Sequence, residues 1–344
     1  MKNLALSKGE VALITDRLTR EYFCGVDIAE AFLFLGEKPV VYTDARYFYQ
    51  AKKTLAEKNI GCRLYRDDSD LISYLKENEN NVLYLDYQKI TAKEYFTYKD
   101  FGLEVLDISS VISKLKSLKD NEEISSIKKA CEIVEKAFYK VIKTVKVGDT
   151  ELDLKNALEE EMLKLGAEST SFDTIVAFNE NSAVPHHETG NTSLKENSVI
   201  LIDAGCKVNG YCSDLTRTAF FGKPTEKFIK TYNLVLEANL IAENKIKNGD
   251  SCVRADSYAR EYLKSQGVDK FFTHSLGHGL GQEIHEYPRL SPKGEGNLTE
   301  NMVFTIEPGI YYDGEFGVRI EDTVMIKNGK IERLFFDDKK LLIL

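Results

Sequence analysis

The chain has 344 residues, a formal net charge of -9 at pH 7 and an isoelectric point near 5.3. Because this length exceeds what one hydrophobic core usually organises, we expect two domains. The acidic balance argues against a nucleic-acid surface. Charges interrupt every apolar run of the opening stretch MKNLALSKGEVALITDR, so we expect neither a secretory signal nor a membrane anchor, and a cytoplasmic protein.

The six cysteines form no CxxC pair and no regular framework. A chain of this size does not need disulfides to fold, so we expect reduced thiols and no zinc finger.

Short apolar runs alternate with helical patterns between residues 10 and 110. Residues 11–15 (VALIT) and 39–43 (PVVYT) are strand-like, and residues 44–58 are helix-like. This rhythm predicts a small α/β domain with a parallel or mixed sheet. The region contains no histidine and no catalytic cluster.

Charge density rises through residues 114–129 and leads into a long amphipathic helix. We place the domain boundary here, giving domains 1–117 and 118–344. Thr150 and Asp153 form a predicted capping box for the next helix. Strand and turn signals dominate from residue 172 onward, interrupted by two predicted helices at 226–247 and 251–266.

All five histidines lie between residues 186 and 285, in or near short glycine-punctuated motifs that also carry carboxylates. These motifs suggest a metal-dependent site in the C-terminal domain. They are VPHHE (184–188), LIDAG (201–205), YCSDLTRT (211–218), HSLGHGLGQEIHE (274–286), FTIEPG (304–309) and VRIEDT (318–323).

The dipeptide Asn209-Gly210 predicts a tight hairpin turn. A two-residue loop places Asp203 opposite Thr216 and puts Asp214 on the same sheet face. The two aspartates are then diagonal neighbours, about 7 to 8 Å apart, which is close enough to share metal ions.

Asp203 stands in an otherwise apolar strand, where an unpaired carboxylate is strongly disfavoured. A cation should therefore compensate it. A metal ion is one candidate, and an ion pair with Arg217 or another arginine is the alternative.

A second hairpin is predicted at Asp313-Gly314. A two-residue loop would place Glu307 and Glu321 on opposite faces. We predict a three-residue loop, or a bulge near residue 308, because either brings the two glutamates opposite each other. The alternative for each glutamate alone is a solvated strand face.

The glycines of HSLGHGLG exclude a regular helix, and therefore a zinc-binding HExxH helix. His278 is the candidate imidazole ligand, while His186 and His285 are candidates for polarising a substrate or transferring protons. The roles of His187 and His274 stay open, since single histidines are often structural.

The candidate ligands are one histidine and four carboxylates, namely Asp203, Asp214, His278, Glu307 and Glu321. This oxygen-rich set suits manganese, with cobalt or zinc as alternatives. Because one divalent ion cannot balance four carboxylates in a buried pocket, the set points to two cations.

In content and order, these motifs resemble those of the pita-bread metallopeptidases, which include methionine aminopeptidases, Xaa-Pro aminopeptidases and prolidases. With its N-terminal region the whole chain resembles the proline-peptidase branch. The resemblance implies a creatinase-like α/β N-terminal domain and an α+β C-terminal pita-bread domain with a curved, mostly antiparallel sheet.

The resemblance also implies roles for the metal ligands. Asp203 would chelate the first metal, Asp214 and Glu321 would bridge both, and His278 and Glu307 would complete the second. Glu307 would in addition hold or deprotonate the bridging water.

Further roles follow from the same resemblance. His186 and His285 would bind the scissile carbonyl and stabilise the oxyanion. Arg319 would orient the carboxylate ligands, which must be fixed to bind metal.

The expected activity is that of a two-metal Xaa-Pro aminopeptidase, a homodimer that releases the residue preceding proline from short peptides. The alternative is an Xaa-Pro dipeptidase, in which Arg289 would hold the free carboxylate of a dipeptide; that arginine would otherwise be merely exposed. A non-catalytic binding module is a distant alternative, since it should have lost metal ligands.

Overall fold

The computed structural model describes Lys2 and residues 4–344. The chain divides into two compact units, Met1–Lys116 and Ser117–Leu344. Within the described part, no helix combines the length and apolar character that crossing a membrane requires.

The first unit is an α/β structure around a six-stranded mixed sheet, as predicted. Its strands are β1 (Glu10–Ile14), β2 (Ala31–Leu35), β3 (Val40–Thr43), β4 (Gly61–Leu64), β5 (Val82–Leu85) and β6 (Glu104–Asp107), in the order β4-β3-β2-β1-β5-β6. Its helices are α1 (Arg17–Cys24), α2 (Phe48–Glu57), α3 (Asp68–Glu77), α4 (Ala92–Lys99) and α5 (Ser109–Ser117).

Strand β1 is buried on both faces because helices cover both sides of the sheet. Ala12 and Ile14 belong to one hydrophobic core, and Val11 and Leu13 belong to another. This alternation follows from the two-residue period of a strand.

Helix α2 begins later than the predicted start at residue 44. The side chain of Asp44 accepts a hydrogen bond from the Arg46 amide at 2.8 Å, and its carbonyl accepts from the Tyr47 and Phe48 amides. An aspartate that bonds its own following backbone favours a turn, so the helix begins at Phe48.

The second unit is α+β. Its helices are α6 (Asn121–Val141), α7 (Glu151–Lys164), α8 (Glu226–Lys245) and α9 (Cys252–Ser265), with 3-10 turns at Ile142–Thr144, Asn179–Ala183 and Asp269–Phe271. Its strands are β7 (Ser169–Thr170), β8 (Ile175–Phe178), β9 (Ser198–Ala204), β10 (Cys206–Val208), β11 (Tyr211–Cys212), β12 (Leu215–Phe221), β13 (Gly277–Gly279), β14 (Glu286–Leu290), β15 (Val303–Ile306), β16 (Gly309–Tyr312), β17 (Phe316–Arg319), β18 (Asp322–Lys327), β19 (Lys330–Arg333) and β20 (Leu342–Ile343).

Two sheets of this unit carry the site. They have the strand orders β20-β12-β9-β8 and β14-β13-β15-β18-β19. Helices α6 and α7 share a hydrophobic core with the first sheet, and α8 and α9 share one with the second. The predicted capping box of Thr150 and Asp153 begins α7, so that prediction is confirmed.

Candidate metal centre

The first hairpin has the predicted register. Asn209 and Gly210 both have positive φ, 50° and 76°, as a two-residue hairpin turn requires. The pairing begins next to this turn in β10–β11 and continues in β9–β12, where Asp203 lies opposite Thr216. Asp214 immediately precedes β12, so the local turn brings both aspartates toward one region.

The second hairpin has the predicted three-residue loop. Tyr312 pairs with Phe316, and Gly314 in the loop has a φ of 69°. The same register holds in the β15–β18 ladder. Glu307 and Glu321, which lie between the two ladders, therefore occupy facing positions.

Strand β13 carries His278 into a crowded position. A Cβ at Gly277 would lie 1.9 Å from the carbonyl oxygen of Thr305, and one at Gly279 would lie 2.3 Å from that of Tyr287. Only glycine fits at either position, which accounts for the glycines of this motif. His278 Nδ1 donates a hydrogen bond to the carbonyl of Gly279 at 3.1 Å, so its Nε2 carries the free electron pair.

The four carboxylates Asp203, Asp214, Glu307 and Glu321 are called the carboxylate cluster below. His278 Nε2 lies 3.4 Å from Glu307 Oε1 and 3.6 Å from Asp214 Oδ2. Ligand atoms of Asp214, His278 and Glu321 lie within 4.8 Å of one another. Asp214, Glu307, Glu321 and the imidazole therefore converge on one small volume, and Asp203 lines the same cavity.

Burial disfavours the charged forms of these groups. It raises the pKa of Asp214 and of Glu321 well above their ordinary values, and neighbouring carboxylates add to both shifts. Burial likewise raises the pKa of Glu307 to about 8. Burial and the nearby His285 lower the pKa of His278 to about 4. The neutral imidazole can thus offer the electron pair of Nε2 to a metal ion. Protein cations balance the negative charge of the neighbouring carboxylates only in part.

Arg319 compensates Asp203. Its Nη2 lies 2.7 Å from Asp203 Oδ2, and its Nη1 donates to the Tyr311 hydroxyl at 2.9 Å. That hydroxyl contacts His274 Nε2 at 2.9 Å, and His274 Nδ1 donates to the carbonyl of Ser275. Arg217, the alternative partner predicted for Asp203, pairs instead with Asp322 and Asp337.

Three further predicted residues line a cavity of about 760 Å³ that also exposes the cluster. They are His186, His285 and Arg289. The His285 ring packs against His278 with centroids 4.4 Å apart. Arg289 is exposed, and its Nε donates to the Ser275 hydroxyl at 3.1 Å.

His187 points away from the cluster to a buried glutamate of α7. Its Nε2 lies 2.9 Å from Glu151 Oε2. Glu151 also accepts from the backbone amides of Phe178 and Gly190 and from the Asn181 side chain. This carboxylate therefore anchors the segment that carries His186.

Sequence reasoning did not single out Glu151, Tyr311 or Thr216. Glu151 stands at a helix start, where an acidic residue is already explained by the helix dipole. Tyr311 lies in an apolar strand, and Thr216 in a β-favouring run. Their contacts depend on distant segments. The Thr216 hydroxyl, for example, donates to Glu321 Oε2 at 2.7 Å and accepts from Arg319 Nε at 3.0 Å.

Comparison with known proteins identifies the family. The model of metallopeptidase family M24 matches residues 125–328, and that of the creatinase/prolidase N-terminal domain matches residues 2–117. The chain belongs to metallopeptidase family M24. An Xaa-Pro dipeptidase of Pyrococcus furiosus is 38% identical over 309 residues, 89% of this chain and 87% of that relative.

Solved structures agree with the M24 assignment. An Xaa-Pro dipeptidase from Bacillus anthracis has a TM-score of 0.93 at 33% identity, covering 97% of this chain and 95% of the other. An X-Pro aminopeptidase from Thermotoga maritima has a TM-score of 0.89 at 32% identity, covering 97% of each. The predicted creatinase-like domain followed by a pita-bread domain is therefore confirmed.

The residues of this M24 peptidase fit divalent metal. Three carboxylates and a neutral imidazole approach one another at distances too long for good hydrogen bonds, as donors around a cation do. Asp203 Oδ1 is buried and has no hydrogen-bond partner among the described residues, so it is available as a ligand. With one arginine facing four carboxylates, the missing positive charge is what metal ions would supply.

Proposed function

We propose that this M24 metallopeptidase is an Xaa-Pro dipeptidase. The sequence alone favoured the aminopeptidase, with the dipeptidase as the alternative. Relatives named Xaa-Pro dipeptidase in two organisms support the dipeptidase better. The Thermotoga X-Pro aminopeptidase keeps the aminopeptidase as the second candidate function. The observation that carries the proposal is the carboxylate cluster with His278, exposed in a cavity that also contains Arg289.

The proposed ligands of two divalent ions are Asp203, Asp214, His278, Glu307 and Glu321. When bound, such ions lower the pKa of water and polarise a carbonyl oxygen. The donor set favours manganese, with cobalt or zinc as alternatives.

The protein groups around these ligands have separate tasks. Glu307 would accept the proton of the attacking water at its carboxylate. His186 and His285 would hold the carbonyl oxygen of the scissile bond. Arg319 would keep Asp203 oriented through the 2.7 Å contact.

Arg289 would set the preference for dipeptides. Its guanidinium lies on the cavity wall and carries a fixed positive charge, which suits the free carboxylate of a substrate that ends at proline. A longer peptide has no carboxylate at that position. The hydrogen bond to the Ser275 hydroxyl places the arginine on this wall.

The remaining assignments are part of the same proposal. Residues 1–117 form the creatinase-type domain and residues 118–344 the catalytic domain. We infer a cytoplasmic homodimer that acts on short proline-containing peptides, since symmetric dimers are the commonest oligomers.

A substrate-length series tests the proposal. The chelator-stripped protein is reloaded with manganese, cobalt or zinc and offered Ala-Pro and Ala-Pro-Ala. We expect faster hydrolysis of Ala-Pro. Faster hydrolysis of Ala-Pro-Ala would establish the aminopeptidase instead, and absence of both metal binding and hydrolysis would indicate the non-catalytic module.

The variant Arg289→Met tests whether Arg289 binds the free carboxylate of the dipeptide. We expect KM for Ala-Pro to rise with kcat little changed, because a binding contact is lost and the reacting groups remain. Arg254→Met removes an exposed arginine of α9 and serves as the control. An unchanged KM in Arg289→Met would remove this residue from substrate binding.

A further inference from the structure

Arg217 is buried directly behind the carboxylate cluster, and all five of its N–H donors have acceptors. Nε and Nη2 bond the two carboxylate oxygens of Asp337, each at 2.7 Å, and Nη2 also bonds Asp322 Oδ1 at 2.7 Å. Nη1 donates to the backbone carbonyls of Thr216, at 2.9 Å, and of Glu321. The Arg217 side chain thus joins β12 to the backbone of Glu321, a proposed metal ligand.

Lys339 makes a second connection to the same region. Its ammonium group lies 2.8 Å from Asp322 Oδ2 and 2.8 Å from Glu243 Oε1. It also donates to the side-chain oxygen of Asn239 at 2.6 Å. The amide nitrogen of Asn239 donates to the carbonyls of Ile306 and Ile320 at 2.9 and 3.2 Å.

These two carbonyls belong to the residues that precede Glu307 and Glu321. Together with the Arg217 contact to the Glu321 carbonyl, the backbone is held on both sides of Glu321 and next to Glu307. The side chains of Glu307 and Glu321 line the cavity, whereas the neighbouring Asp322 pairs with Lys339.

The segment carrying Asp337 and Lys339 is itself held against α6. Glu135 Oε1 accepts from the Phe336 amide at 2.9 Å and the Asp337 amide at 2.7 Å. The Tyr139 hydroxyl donates to Asp337 Oδ2 at 2.8 Å. The segment that pairs with Arg217 is therefore anchored to α6.

Arg333 also pairs with Asp337, with its Nη1 3.3 Å from Asp337 Oδ1. The residues Arg217, Glu243, Asp322, Arg333, Asp337 and Lys339 are called the ion-pair network below. It contains three cations and three anions, and Asp322 is completely buried. A buried ion-pair network often stabilises a protein no better than apolar residues of the same volume. Stability alone is thus a weak reason for burying the charges of Arg217, Asp322 and Lys339.

We propose that the ion-pair network is a positioning device for the metal centre, in which Asp337 and Lys339 fix the backbone of Glu321 and Glu307 through Arg217 and Asn239. This inference rests on the proposed metal-binding function. The residues of the network touch no substrate and act only through the ligands.

Asp337→Asn tests the proposal, because it preserves the shape of the side chain and removes its charge. Manganese binding to the chelator-stripped variant is measured by titration calorimetry, alongside thermal unfolding without metal. Outer partners of metal ligands typically contribute roughly 10- to 100-fold to affinity, so we expect the manganese Kd to rise by that factor. Glu161→Gln, which removes a buried carboxylate paired with Lys140 between α6 and α7, is the control and should bind as the unmodified protein does.

The outcomes separate the two proposals. If the unmodified protein binds no manganese, the metal-binding function fails. If it binds and Asp337→Asn binds equally well, only the positioning role fails. A variant with reduced stability but unchanged affinity would likewise overturn it.

Arg217→Lys provides a second test should Asp337→Asn not fold. Lysine keeps the positive charge but cannot reach two carboxylates and two carbonyls with one ammonium group. We expect the same loss of manganese affinity, and unchanged affinity would overturn the proposal.

Discussion

Glu321 and Asp322 are neighbours in the chain, yet they lie in two differently balanced regions. Glu321 belongs to the carboxylate cluster, where burial and Glu307 raise its pKa well above the ordinary value. Asp322 belongs to the ion-pair network, where Arg217 and Lys339 outweigh the effect of burial and lower its pKa. Burial alone therefore does not distinguish the two regions; they differ in how completely protein cations balance the buried carboxylates.

Removing one carboxylate from the cluster should have the largest effect on activity. We expect Glu321→Gln to reduce kcat/KM by more than the roughly 100-fold that outer partners contribute, because a ligand itself is lost. The metal-free variant should be at least as stable as the unmodified protein, since a repulsive buried charge is gone. Dipeptide hydrolysis and thermal unfolding measure both effects; full activity in this variant would contradict the metal centre.

Removing one cation from the network should have the opposite effect on stability. Lys339→Met leaves Asp322 and Glu243 less compensated, and breaking a buried pair typically costs about 3 to 5 kcal/mol. Thermal or urea unfolding of the metal-free protein measures this loss. A stability equal to that of the unmodified protein would show that the two regions do not differ as described.

Metal should stabilise the protein through the cluster. At a free metal concentration 100 times Kd, one site contributes about 2.7 kcal/mol. For a unit of this size that corresponds to a rise in Tm of roughly 5 to 11 °C. Scanning calorimetry with and without manganese checks the shift, and Glu321→Gln, as the matched variant, should show much less of it.

Acid should weaken the network by a smaller amount. Hydrogen bonds from Arg217 outweigh burial and lower the pKa of Asp337 below its ordinary value. Its contribution to stability is therefore complete above the unfolded-state pKa and is lost as pH falls through the folded-state pKa. Unfolding measured from pH 6 down to pH 3 should show a shallower decline in Asp337→Asn than in the unmodified protein, and identical slopes would exclude this contribution.

Local patterns predicted the backbone of the site well. The Asn209-Gly210 turn predicts the register of the first hairpin; for the second, the odd-length loop is predicted because it brings Glu307 and Glu321 opposite each other, and the observed register agrees with it. Turn length and strand period are short-range properties, so they can be deduced from a few residues. The order of the motifs in the sequence also indicates the family.

Side-chain partners were less predictable. Arg319, rather than Arg217, contacts Asp203, although both arginines lie in the motifs. The two histidines left open acquire partners far along the chain, Glu151 for His187 and Tyr311 for His274. Nothing in a local pattern specifies which long side chain reaches a given carboxylate.

Local sequence patterns therefore predict the two-unit organisation and the hairpins, and they supply the residues that we propose as metal ligands. The distribution of charge between the carboxylate cluster and the ion-pair network depends on the tertiary structure. The contact between Arg217 and Asp337 joins residues 120 positions apart, and only the packing of β12, β18 and the C-terminal segment brings them together. Strand register can be predicted because it depends on local turns. Charge pairing cannot, because buried charges are balanced by the groups that the completed fold places beside them.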